Sequence, residues 1–186
     1  GIFEIFCEPV INNIAKDKGL TMEKTGQTSY PDFTLFDPGK PNEKIAVEVK
    51  STYRKFTKEN KIKKFHFTLG SYRSYIRDPQ GKKGILYPYK EYKEHWIIGF
   101  LYTRNPACKV TEIKQVIEAS QLKSPFMDID FFVQEKHKIA GKTPGSGNTT
   151  NIGSIKSDNI ADFKAGESGF KTKKDFDNYW KNYKLG

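Results

Sequence analysis

A dense set of turn formers, Asp37-Pro38-Gly39-Lys40-Pro41-Asn42-Glu43, divides two short apolar runs at residues 32–36 and 44–50. Two runs of strand length on either side of such a loop predict a β-hairpin. In the second run Ile45, Val47 and Val49 alternate with Ala46, Glu48 and Lys50. A period of two puts the apolar set on one face and both Glu48 and Lys50 on the other, with Thr52 continuing that second face. Symmetric closure of the loop pairs residue 37 with residue 43 and, carried along the hairpin, sets Asp32 directly across from Glu48.

The rest of the chain supplies the partners such a hairpin needs. Phe3, Phe6, Val10 and Ile14 fall at helical spacing ahead of Gly19, a C-terminal stop, and Pro9 implies a kink or a late start. The segment opens inside its apolar pattern with no capping residue, as a fragment lacking its natural N-terminal residues would. Residues 96–102 read as a strand buried on both faces, and Ile129, Phe131 and Val133 mark an alternating strand. Residues 111–119 read as a short helix. Phe176, Tyr179, Trp180 and Tyr183 follow helical spacing behind Thr172 and Asp175, a start resembling a capping box. Strands interleaved with helices give an α/β (α+β) fold, a mixed central β-sheet flanked by helices. The 186 residues, with 14 Phe and 10 Tyr to fill a core, suit a single domain over 1–186, expected to lack natural N- and C-terminal segments.

Composition narrows the function classes. No run approaches the roughly 18 apolar residues of a membrane span and no signal peptide is legible, so the expected location is cytoplasmic. Cys7 and Cys108 make no disulfide framework, and no spacing suggests structural zinc. Lys and Arg total 32 against 22 Asp and Glu, a formal net charge of +10, which makes a polyanion the first partner to consider. Residues 50–64 carry much of the excess, with Glu59 as their one acid, and Lys171, Lys173 and Lys174 form a second cluster. A solvated surface explains that charge as well as a polyanion site does.

The hairpin carries the chemistry. Carboxylates opposed across a strand pair have Cβ atoms roughly 4.5 to 5.5 Å apart and destabilise the sheet unless a cation lies between them. Oxygen ligands suit a hard ion such as Mg²⁺, which gathers phosphate oxygens as further ligands. Lys50, further along the same face, is placed to orient an attacking water or offset charge on a pentavalent phosphate. The alternative for Glu48 and Lys50 is an ordinary solvent face, and for Pro31-Asp32 an ordinary turn. His66, His95 and His137 are far apart in sequence and read as core-edge or surface residues, and Trp96 and Trp180 read as core.

Pro31-Asp32 followed by Glu48-Val49-Lys50 resembles the PD…(D/E)xK nuclease signature. More specifically, residues 30–35 (YPDFTL), 64–77 (KFHFTLGSYRSYIR), 95–104 (HWIIGFLYTR) and 139–155 (IAGKTPGSGNTTNIGSI) resemble the EcoRV-type type II restriction endonucleases, over nearly the whole chain. The resemblance implies a homodimer that clasps double-stranded DNA, uses Mg²⁺, and cuts both strands bluntly at the centre of a six-base palindrome, GATATC in the type member. A cognate DNA methyltransferase would be its genetic partner. It implies that Asp32 and Glu48 bind metal and the scissile phosphate, that Lys50 is the catalytic lysine, and that Glu4 is a further acid of accessory or metal-binding role. Glu48 stands where the type member has Asp, and the extra methylene moves the carboxylate by about a bond length.

Residues 145–150, Gly145-Ser146-Gly147-Asn148-Thr149-Thr150, admit a flexible turn as the simplest reading. They also suit base reading: the glycines permit close approach, Asn148 can pair bidentately with adenine, and a Thr methyl can meet that of thymine. They resemble the family's recognition loop at every position. Gln27 and Thr28 fall in its minor-groove loop, and Thr52, Ser74 and Lys82 in its phosphate-contacting regions. A repair or junction nuclease of the same superfamily and a non-cutting DNA-binding remnant remain as alternatives.

Overall fold

The computed structural model describes residues 1–26, 28–108, 123–145 and 150–184. Helix α1 (Ile2–Asp17) packs against the first sheet strands, β1 (Thr21–Lys24) and β2 (Phe33–Phe36), and against β3 (Lys44–Tyr53). The buried ladder of α1 is Phe3, Cys7, Ile11 and Ala15, whereas Phe6, Val10 and Ile14, expected to share the inner face with Phe3, are exposed. A strict four-residue spacing ending in Ala15 lets the helix lie close to the sheet, which the bulkier set would prevent. The helix runs unbroken through Pro9, correcting the expected late start; Pro9 lies on the exposed face, where the carbonyl it leaves unpaired meets water.

The hairpin forms in the expected register. Phe33 pairs with Val47, Thr34 with Ala46, Leu35 with Ile45 and Phe36 with Lys44, antiparallel. β3 then pairs in parallel with β5 (Tyr92–Arg104), and β5 pairs antiparallel with β6 (Phe126–Glu135), giving the mixed order β1-β2-β3-β5-β6 among the described residues. A smaller sheet of β4 (Thr68–Ser71), β7 (Ala140–Pro144) and β8 (Asn151–Ser154) has the order β4-β8-β7. A one-turn helix α2 (Lys136–Ile139) joins β6 to β7, and α3 (Ala161–Ala165) and α4 (Lys173–Lys181) follow β8. The expected helix at residues 111–119 lies outside the described residues.

The middle of the central sheet is covered on both faces. On the α1 side Phe33, Leu35 and Val47 meet Cys7, Ile11 and Ala15. On the other side Ile97, Leu101 and Phe132 pack with Phe67, Leu69, Phe163 and Trp180. The alternating residues of β6 turn outward, with Ile129, Phe131 and Val133 exposed, and Phe132 is its buried anchor. Gly99 makes room for that anchor: a Cβ there would stand 2.1 Å from the Phe132 ring. Thr172 caps α4 by accepting a hydrogen bond from the Asp175 backbone N–H at 3.1 Å, as its sequence indicated. Cys7 and Cys108 are both free thiols. No helix among the described residues is long and apolar enough to cross a membrane.

Candidate active site

The register that pairs Phe33 with Val47 carries Asp32 and Glu48 to the same edge, one step beyond β2. Asp32 follows a cis Tyr30–Pro31 bond, and its Oδ2 accepts a hydrogen bond from the Val49 backbone N–H at 2.7 Å, which fixes the carboxylate against β3. Glu48 is only 6% exposed, so the second face of β3 is far from the solvent surface that its alternating charges first suggest. Lys50 donates to Glu48 Oε1 at 2.8 Å. Burial raises the Asp32 carboxyl above its usual range, and the Glu48 charge adds to the rise; the Val49 N–H and Lys50 oppose it. For Lys50, burial lowers the ammonium, but Glu48 and Asp32 outweigh that and leave it raised. Two acids and one amine therefore share a single electrostatic environment.

A second ammonium closes the site from inside. Lys136, at the start of α2, is 2% exposed; its Nζ lies 3.9 Å from Glu48 Oε2 and 4.7 Å from the centre of the Tyr30 ring. Burial pushes it down to about 8, with Glu48 resisting. β4 passes this pair at Gly70, whose φ of 86° is what calls for glycine; a Cβ there would make only ordinary contact, 3.6 Å from Lys136 Nζ and 3.7 Å from Glu48 Oε2. Sequence reasoning missed Lys136, because Glu135-Lys136-His137-Lys138 carries no signal that separates it from a charged surface turn.

The other expected residues divide by location. Glu4 sits in the first turn of α1 beside a cavity that also meets Val49 and Ser51, and its charge helps to raise Asp32. Thr52 lies two residues beyond Lys50 and lines a cleft of about 340 Å³ with Lys50, Lys55, Lys63, Lys64, His66 and Thr68. Gly145 borders Thr68: a Cβ on Gly145 would stand 3.1 Å from Thr68 Oγ1. The Gly145 N–H donates to Asn151 O at 2.8 Å and the Tyr72 N–H to Thr150 O at 3.1 Å, so both ends of the 145–150 segment are pinned, the Gly145 end beside that cleft. Ser146, Gly147, Asn148 and Thr149 lie outside the described residues, as does Gln27. Thr28 is exposed, on a segment held against the 81–84 turn, which carries the exposed Lys82, by a hydrogen bond from the Tyr30 N–H to Gly84 O at 2.9 Å. Ser74 is exposed on the turn after β4, and its N–H donates to Ser71 Oγ at 3.2 Å.

His95 lies deeper than expected for a core-edge residue: it stacks on Tyr89 at 4.7 Å between centroids, and its Nδ1 is hydrogen-bonded to Tyr30 OH. Burial, with Lys136 nearby, pushes its imidazole well below the usual value. Trp180 is completely buried, as core, and Trp96 is half-buried at the margin of the α1 layer.

The family model for restriction endonuclease EcoRV matches residues 1–185. The chain belongs to the EcoRV restriction endonuclease family. It is 44% identical over 185 residues to the type II restriction enzyme EcoRV of Escherichia coli, covering 98% of this chain and 72% of that enzyme. The mixed sheet flanked by helices accords with the restriction endonuclease fold of that family.

The donor set fits the metal that this family implies. Glu48 Oε2 is a buried oxygen without a hydrogen-bond partner among the described residues, and Asp32 is a carboxylate raised by burial and further by the Glu48 charge, a charge pattern that a divalent cation relieves. No group of three or more His, Cys, Asp or Glu side chains with metal-holding geometry occurs among the described residues. Mg²⁺ needs no such group, since it is held by one or two carboxylates together with water and substrate phosphate.

Proposed function

We propose that this chain is a type II restriction endonuclease that makes Mg²⁺-dependent, blunt double-strand cuts in DNA at GATATC, acting as a homodimer. The observation that carries this reading is the convergence of Asp32, Glu48 and Lys50 at one sheet edge beside a lysine-lined cleft, in a chain of the EcoRV family.

Asp32 and Glu48 would hold the ion, with Glu4 as an accessory acid on the α1 side. Bound there, a divalent cation supplies Lewis-acid stabilisation of charge on the phosphodiester and makes water a better nucleophile. The residues of the chain do the positioning. Asp32 is held by the Val49 N–H, so its carboxylate approaches the phosphate in one orientation. Lys50, tethered to Glu48, presents a positive charge that orients the attacking water and offsets charge developing on the phosphate. Lys136 sets its ammonium against Glu48 from the buried side.

Thr52, Ser74 and Lys82 would contact backbone phosphates, and Gln27 and Thr28 would approach the minor groove. The 145–150 segment would read bases in the major groove, with its inner step set partly by how easily the DNA deforms. Asn148→Ala is expected to cost roughly 1 to 3 kcal/mol at one base pair, read as relative affinity for duplexes altered singly within the site. Equal weakening on every sequence would remove Asn148 from that role.

Incubation of the purified chain with plasmid and Mg²⁺, followed by sequencing of the product ends, tests the whole reading. Discrete blunt fragments ending at the centre of GATATC are expected. Structure-dependent nicks would favour a repair or junction nuclease, and binding without cleavage a remnant.

A further inference from the structure

The lysine-lined cleft extends well beyond Lys50. Residues 55–63 fold back on themselves: the Thr57 N–H donates to Lys61 O and the Lys63 N–H to Lys55 O, each at 2.8 Å, and Phe56 bridges Ile62. Thr57 Oγ1 accepts from the Glu59 and Lys61 N–H groups at 3.2 Å, which tightens the tip. The base is anchored on one side by Arg54, paired with Asp130, and on the other by the Phe65 N–H bond to Ser157 O at 2.8 Å. Arg54 is thus committed to holding the structure. Lys55, Lys63 and Lys64, by contrast, are exposed, line the cleft, and form no ion pair among the described residues. Glu48 and Asp32 do not line it, and neither does any other acid.

We propose that Lys55, Lys63 and Lys64, with Thr52, form a binding site for the DNA backbone phosphates next to the scissile one. The inference rests on the nuclease reading and extends it to residues with no part in the chemistry. Lys50 and Tyr53 are three strand steps apart, about 10 Å, which matches roughly three nucleotides of axial rise along one DNA strand. The cleft thus has room for a short run of phosphates in line with the catalytic amine. His66 reports the same field: its imidazole is lowered by burial and further by Lys156 and Lys55. A hairpin tied at both ends holds the lysines in place before DNA arrives, which reduces the ordering cost of binding.

The test is the salt dependence of DNA binding by the full chain without divalent ion, measured on a GATATC duplex and on an unrelated one. Each lysine that meets a phosphate contributes about 0.9 to the slope of log K against log salt. A homodimer brings two copies of the cleft to one duplex, so the Lys55→Ala, Lys63→Ala, Lys64→Ala protein is expected to lose about 5 units of slope on both duplexes, with the ratio of the two affinities unchanged. The corresponding triple Gln protein is expected to show the same loss, which separates charge from side-chain bulk. Lys16→Ala, Lys18→Ala removes charge outside the cleft and should leave the slope as it is. A loss below about 1.8, a loss confined to one duplex, or an equal loss in the Lys16, Lys18 control overturns the proposal. If the parent cuts GATATC but the slope does not move, the phosphate site fails and the nuclease reading stands. If the slope moves but nothing is cut, the reverse holds.

Discussion

Lys50→Ala is expected to cut DNA at least about 100-fold more slowly than the parent while binding it with similar affinity at the same salt. The Lys50 ammonium is held 2.8 Å from Glu48 Oε1, and both acids keep it raised, so it is charged and aimed when substrate arrives. A preorganised charge of this kind acts on the transition state more than on the bound ground state, so the loss belongs in the rate of the chemical step. The fold should survive, because Lys136 still faces Glu48 from the interior. Single-turnover cleavage with excess enzyme, alongside DNA binding and thermal melting, separates these effects. A variant that cuts within about threefold of the parent would remove Lys50 from the mechanism, since a preorganised group of this kind is worth roughly 10² or more.

The second large effect is structural. Trp180→Ala is expected to destabilise the protein by about 3 to 5 kcal/mol, measured by the midpoint of urea unfolding with an unchanged slope. Trp180 is 0% exposed, and its ring lies 5.0 Å from Tyr72 and 4.9 Å from Tyr183 between centroids. Its indole N–H has no hydrogen-bond partner among the described residues, so the loss is one of packing and cavity formation. Tyr72 also pins Thr150 through its backbone N–H, so the cavity would open beneath one anchor of the 145–150 segment. If Trp180 served instead as a base-stacking platform, the same substitution would weaken DNA binding and leave stability nearly unchanged.

Several features were legible because they depend on local periodicity. The seven turn formers and the alternation of residues 45–50 specify the hairpin, and a period of two allows a single register if the apolar face is to stay buried. The last helix was legible for a similar reason: Thr172 and Asp175 mark its start and Phe176 and Trp180 its buried side. The first helix was less legible. Apolar residues surround much of its circumference, and only the sheet beneath it selects the ladder Phe3, Cys7, Ile11 and Ala15 over Phe6, Val10 and Ile14.

By itself the sequence determined that two acids and a lysine lie on one face of a hairpin, since strand geometry allows little else once the turn is placed. Tertiary structure alone decided how deep that face lies. β4 passes over it at Gly70, and α2 brings Lys136 to Glu48 from a position 88 residues further along the chain. The same holds for the cleft: a run of lysines becomes a site only when a hairpin anchored to Asp130 and Ser157 sets them beside Lys50. Periodicity encodes which way a side chain points along its own element, whereas its burial and its partners depend on contacts between segments remote in sequence, which leave no local trace.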